Sequence, residues 1–306
     1  MKEYFRLQFT LTNRKIRDFG MNPVLGYVLM AAAFVFLVAM AFMKFPTKAQ
    51  YIIAALGILP LTTLSEKQRS DFLYIVYGDK TKRKIRIIEN LIVCLPFVIA
   101  LVVKNQYVVA AALPIVSTIM AFVEFHSKNF VLPTPFSKHP FEFSVGFRYT
   151  FFMFPLLYGL AIIALSVNNL NLGLASIIML SLMMSGYYYN PENEYYVWIF
   201  ADNSKTFLLK KAVNALKNTL LTTLPVVALL IVGFTPDYWK ILLTMVWGIL
   251  IVITTMLTKY SKYPDEIGFI EVILALSVII LPPMALIVMP IAYIRSTHRL
   301  KNYLND

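Results

Sequence analysis

Apolar residues fall along this chain in long unbroken runs, and the polar residues collect in the gaps between them. Eight runs, at 24–43, 49–64, 88–103, 107–125, 149–166, 172–189, 218–234 and 238–258, approach the roughly 20 residues a helix needs to cross the ~30 Å hydrocarbon core. The pattern predicts an all-α fold, a polytopic membrane helical bundle of about eight transmembrane helices. A last apolar stretch, 269–294, departs from it. Pro282 and Pro283 stand at its middle, where they remove backbone donors and disfavour a continuous helix. One crossing would also carry Arg295, Arg299 and Lys301 away from most other basic residues. Two readings stay open, a re-entrant pair of half-helices or a kinked ninth span.

Ahead of the first run, Phe5, Phe9, Thr12, Ile16 and Phe19 recur at steps of three and four, while Arg6, Asn13, Arg14 and Arg17 fall on other faces. Such a stripe predicts an amphipathic helix over 1–23, lying in the headgroup region with its basic side toward anionic lipid.

Two of the polar gaps are too apolar to be plain connectors. In loop 65–87 the segment Phe72, Leu73, Tyr74, Ile75, Val76, Tyr77 is flanked by charges that stop it being another span, so it reads as a short surface helix or a docking element. Loop 190–217 carries a similar segment around Tyr195, Tyr196, Trp198, Ile199 and Phe200. The stretches SDFLYIVYGDKTK and NEYYVWIFADNSK align without gaps at an offset of 123 residues, sharing Asp79 with Asp202 and Lys82 with Lys205. That similarity of type predicts a parallel internal duplication. The halves are 24–125 and 149–258, joined by a connector 126–148 and followed by 259–306.

Composition and charge then sharpen the picture. Hydrophobic residues make up 59% of the chain against 14% charged, and the mean hydropathy is +0.69, more apolar surface than a soluble domain can hide. The net charge of +12 follows from topology. With the amino terminus in the cytosol, the inner segments hold Lys2, Arg6, Arg14, Lys15, Arg17, Lys67, Arg69 and 80–86, whereas the outer loops keep Lys44, Lys48, Lys104 and Lys240. This is the positive-inside asymmetry of a bacterial inner-membrane protein. Basic residues spread through short loops form no nucleic-acid-binding domain. The single cysteine, Cys94, sits in an apolar run and is expected to pack, since it can form neither a disulfide framework nor a thiolate cluster.

An amphipathic cytosolic leader, two spans, then Glu66, Arg69, the apolar 72–77 and the basic 80–89 together resemble the permease subunits of ABC exporters, over roughly the first 100 residues. The resemblance implies that loop 65–87 is a coupling helix docking on a cytosolic ABC ATPase, with Phe72, Leu73, Tyr74, Ile75, Val76 and Tyr77 as contacts. By the internal alignment Tyr195, Tyr196, Trp198, Ile199 and Phe200 would form a second contact. The chain has more apparent spans than that family's usual six, which leaves stoichiometry open, including a homodimer. No G-x-x-x-x-G-K-[ST] occurs, so ATP would be bound by the partner and the chain itself would need no cofactor. Membrane lipid is the other expected partner.

A third loop, 124–148, holds Glu124, His126, His139, Glu142 and Arg148 near the inner surface, residue types able to bind a metal or move protons, though at no ligand spacing. A polytopic enzyme acting on lipid, or a non-transporting assembly subunit, is therefore the alternative to a transport subunit. The spans contain few ionisable residues, which argues against a proton-coupled carrier.

Overall fold

A computed structural model describes residues 1–125, 133–136, 141–199 and 203–304. Among them the fold is all-α, without strands. Two compact units account for the chain, residues 1–17 with 21–130 and residues 18–20 with 131–306.

The first unit contains α1 (Lys2–Asp18), α2 (Pro23–Lys44), α3 (Ala49–Leu64), α4 (Lys67–Val103) and α5 (Tyr107–Met120). α2 starts where Asn22 supplies a cap, its side chain accepting the Val24 amide at 2.9 Å, and Pro23 follows at the position where a missing N–H costs nothing. Most of α2 is exposed apolar surface, while Val38, Ala41 and Phe42 pack against the core. The core lies among α3, α4 and α5, built from Ile53, Leu61, Cys94, Leu101, Ala110 and Leu113. Cys94 is buried there and donates to the Gly57 carbonyl at 3.7 Å.

The second unit runs α6 (Phe141–Thr150), α7 (Met153–Ser166), α8 (Leu170–Ser185), α9 (Glu194–Trp198), α10 (Ser204–Gly233), α11 (Tyr238–Ser261), α12 (Phe269–Ile280) and α13 (Ala285–Leu300). Asparagines again start helices: Asn169, Asn193 and Asn203 cap α8, α9 and α10. Its core gathers Ala161, Ile177, Leu180, Met184, Val226, Leu230 and Val252.

Among the described residues, five helical stretches are long and apolar enough to cross a membrane: Pro23–Lys44, Lys67–Val103, Leu170–Tyr188, Ser204–Gly233 and Thr235–Ser261. A sixth is added if α6 and α7, bent by 71° to one another, form one broken span. Each of the eight apolar runs lies largely in a helix, but α3 and α5 have only 16 and 14 residues. At 1.5 Å per residue they reach ~24 Å and ~21 Å, less than the hydrocarbon thickness.

The last apolar stretch turns back on itself. Leu281 leaves the helical region, Pro282–Met284 makes one 3₁₀ turn, and α13 returns. The start of α12 and the end of α13 line the same cavity beside the end of α11, so α12 and α13 form a hairpin. Its tip, at Pro282 and Pro283, reaches Leu243 to Leu250 midway along α11. Two hydrogen bonds hold it there, from Trp247 Nε1 to the Val278 carbonyl at 3.0 Å and from Ser296 Oγ to the Leu257 carbonyl at 2.8 Å.

Candidate functional site

The segment 72–77 forms part of the first three turns of α4, and Gly78 ends them. Its φ of 72° and ψ of 167° belong to a region open almost only to glycine, which breaks α4 into a short helix and a long one. Alternation of exposure follows from helical geometry. Phe72, Tyr74, Ile75 and Val76 are exposed, Ile75 at 81%, whereas Leu73 is 1% exposed and packs with Tyr4 and Ile85. Tyr77 lies partly buried with its ring 5.9 Å from that of Tyr4.

The second segment is shorter, and its inward residue is not the one aligned with Leu73, which is the exposed Tyr196. Glu194–Trp198 makes a helix of 5 residues in which Tyr195, Tyr196 and Trp198 are exposed, as is Ile199 just after it. Val197 is buried in the core of the second unit. Phe200 and Asp202 lie outside the described residues. Thus each segment shows an aromatic outer face and presses one aliphatic side chain inward. Leu73, expected among the outward contacts, lies inside.

Behind each short helix stands a charge network that ties it to the long helix following it. In the first unit Arg69 pairs with Glu89, and Tyr4 donates to the same carboxylate at 3.0 Å. Burial, reinforced by Glu89, pushes the Tyr4 hydroxyl up to about 12. One turn away Glu124 accepts from Lys82 at 2.8 Å and from Ser70, with Arg86 at 3.7 Å. Hydrogen bonds from Lys82 and Ser70 hold Glu124 down at about 2. Arg86 also donates to the Val123 carbonyl at 2.7 Å, so the segment after α5 is clamped onto α4. Lys82 is therefore a structural partner, while its aligned counterpart Lys205 is exposed.

In the second unit the network is a quartet. Lys211 of α10 contacts Glu142 at 3.0 Å and also Glu192, while Lys259 of α11 contacts Glu142 at 3.1 Å and Glu192 at 3.5 Å. All four side chains are at least nine-tenths buried. Tyr260 donates to Glu192 at 2.8 Å, and Lys259 lies 5.6 Å over the Tyr188 ring. Two cations and two anions leave no net buried charge, and the aromatic faces take the place of water around the ammonium groups. Burial, with the Glu142 carboxylate beside it, pushes Glu192 above the ordinary carboxylate range.

Glu142 is thus committed to two lysines. His126 and His139, its companions in the connector, lie outside the described residues, among which no group of three metal-ligating side chains gathers. Lys211, Lys259 and Glu192 escaped the sequence reading, which counted few charges in the spans. A signal existed: Phe207, Lys211, Ala215, Asn218 and Thr222 recur at steps of three and four, so Lys211 sits on the buried stripe of α10.

Compared with family models, curated proteins and solved structures, the chain matches none.

Proposed function

We propose that the chain is the membrane subunit of an ATP-driven exporter of the ABC type, powered by a separate cytosolic ATPase that docks on the short helices at 72–77 and 194–199. One observation carries this reading: in each unit an exposed aromatic face is fixed by a buried aliphatic residue and by ion pairs to the long apolar helix that follows. A surface helix that only floated on lipid would need no such rigid linkage, whereas an element that passes mechanical work to a span must not yield. Tyr and Trp on such faces are the residue types that dominate interface energies.

The duplication belongs to the same reading. Immediately before each aligned segment stands a charged residue, Arg69 or Glu192, and each pairs into the next long helix, at Glu89 or Lys211. The two contacts are alike in kind with their signs exchanged, although their partners in the long helix stand one residue out of register. In this view all eight apolar runs cross a bacterial inner membrane, the bilayer thinning around the shorter α3 and α5, α1 lies on its cytosolic face with the amino terminus inside, and α12 with α13 dips in from that side. The apolar walls suit an amphiphilic cargo. One chain would offer two contacts to an ATPase pair, and a second copy of the chain would double them.

The test is purification in mild detergent from the native membrane, followed by identification of co-purifying nucleotide-binding subunits. Val76→Asp and Trp198→Asp alter exposed positions and leave the spans intact, so each variant should reach normal membrane levels and lose the ATPase. Retained ATPase and full transport in both would overturn the coupling role, and the faces would then be lipid contacts.

A further inference from the structure

We propose that the mouth of the α12–α13 hairpin is a binding site for the phosphate headgroup of an anionic membrane lipid. The cavity there measures 610 Å³, and Lys262, Arg295, His298 and Arg299 line it together with Ile270 and Ile294. The guanidinium groups are available: among the described residues no carboxylate lies within ion-pair distance of Arg295 or Arg299. Lys262 donates to the Asp18 carbonyl at 3.2 Å, and among the described residues no carboxylate lies within ion-pair distance of it. The one carboxylate in the lining, Glu271, is turned onto the Gly268 amide at 3.2 Å.

A further feature selects an anion attached to acyl chains. Ile270 and Ile294 are 61% and 65% exposed beside the cations, and exposed apolar surface continues down the hairpin through Ile273, Ile280, Leu286 and Ile287. A soluble phosphate would use the cations and leave that surface wet. A phospholipid uses both, its phosphodiester held bidentately by arginine and its chains lying along α12 and α13. The basic residues at the end of α13 also favour its negative dipole end, but that effect needs neither a cavity nor a greasy wall.

The reading stands on the second unit alone and does not depend on an ATPase. Native mass spectrometry of the full chain in detergent, titrated with phosphatidylglycerol or phosphatidylcholine, tests it. Phosphatidylglycerol should be retained about tenfold more strongly, a preference expected of an extra charge-assisted contact. Arg295→Ala with Arg299→Ala should abolish that preference, Arg295→Lys with Arg299→Lys should restore most of it, and Lys205→Ala, at an exposed lysine outside the cavity lining, should leave it intact. If the double alanine variant does not fold, Ile294→Trp, which fills the cavity mouth without changing charge, must reduce retention instead. Equal retention of the two lipids, an equal loss in Lys205→Ala, or persistence in the arginine and tryptophan variants would overturn the site. Displacement of the lipid by millimolar inorganic phosphate would assign the cavity to a free anion and overturn the lipid reading.

Discussion

At the scale of single residues, the chain keeps its charges in apolar surroundings by pairing them. Lys259 and Glu142 show what that costs if undone, because removing one partner leaves the other buried without compensation. Glu142→Gln or Lys259→Met should each destabilise the second unit by about 3–5 kcal/mol, while the pair of changes together should cost less than their sum. Equilibrium unfolding in detergent measures this, and additive losses would show that the quartet does not act as a unit. A second prediction concerns pH. Glu124 is held at about 2 in the folded chain, below its ordinary 4.5, so its ion pair contributes fully above about 4.5. That contribution should fade as pH drops from about 4.5 through about 2, and Glu124→Gln should remove this part of the acid sensitivity. Melting profiles of the two proteins that stay parallel through this window would count against the pairing.

At the scale of elements, the break in α4 decides what 72–77 presents. Residues 67–77 and the long part of α4 could join into one straight helix only by moving Gly78 out of a backbone region that other residues avoid. Space is not the constraint, since nothing lies within 4 Å of where a Cβ would stand at Gly78. Gly78→Ala should therefore destabilise the chain by about 1–3 kcal/mol through backbone strain alone. It should also loosen the contact of Leu73 with Tyr4, which a spin-label distance between the exposed positions 75 and 91 would report as a broadened distribution; an unchanged melting temperature and distance would refute the role of the glycine. Aromatic content marks this segment in the sequence but does not distinguish which of its side chains turns inward. Leu73 and Ile75 have the same hydrophobic character, and only the rotation of the helix against α1 separates a buried residue from an 81% exposed one.

At the scale of the whole molecule, α11 and the hairpin after it set the sidedness of the second unit. Because α11 is 24 residues long, Asp237 and Asp265 must emerge at opposite ends of it, and because α12 and α13 return, Lys301 must emerge with Asp265. Single cysteines at 265 and 301 in a Cys94→Ser background should thus react with an impermeant reagent only after the inner face is opened. A cysteine at 237 should react from outside, and one at 283 should stay protected at the hairpin tip. Labelling of 301 from outside intact cells would establish a ninth crossing and refute the hairpin in the membrane.

What the amino-acid order determined alone is the class of solvent and the menu of elements. The hydrophobic runs, the prolines at 282 and 283, the asparagine starts and the aromatic segments at 72–77 and 195–199 all act through local properties, namely transfer of apolar surface, missing donors and capping geometry, which need no distant partner. What only the tertiary structure decided is pairing. Glu142, Glu192, Lys211 and Lys259 are far apart in the chain, and each by itself reads as a solvated or snorkelling charge. Their meeting depends on how α6, α10 and α11 pack, just as the choice between a ninth span and a hairpin depends on whether α13 finds α11. A charge in an apolar environment is tolerated only against a specific partner, and the identity of that partner is a fact of three-dimensional packing that no local pattern encodes.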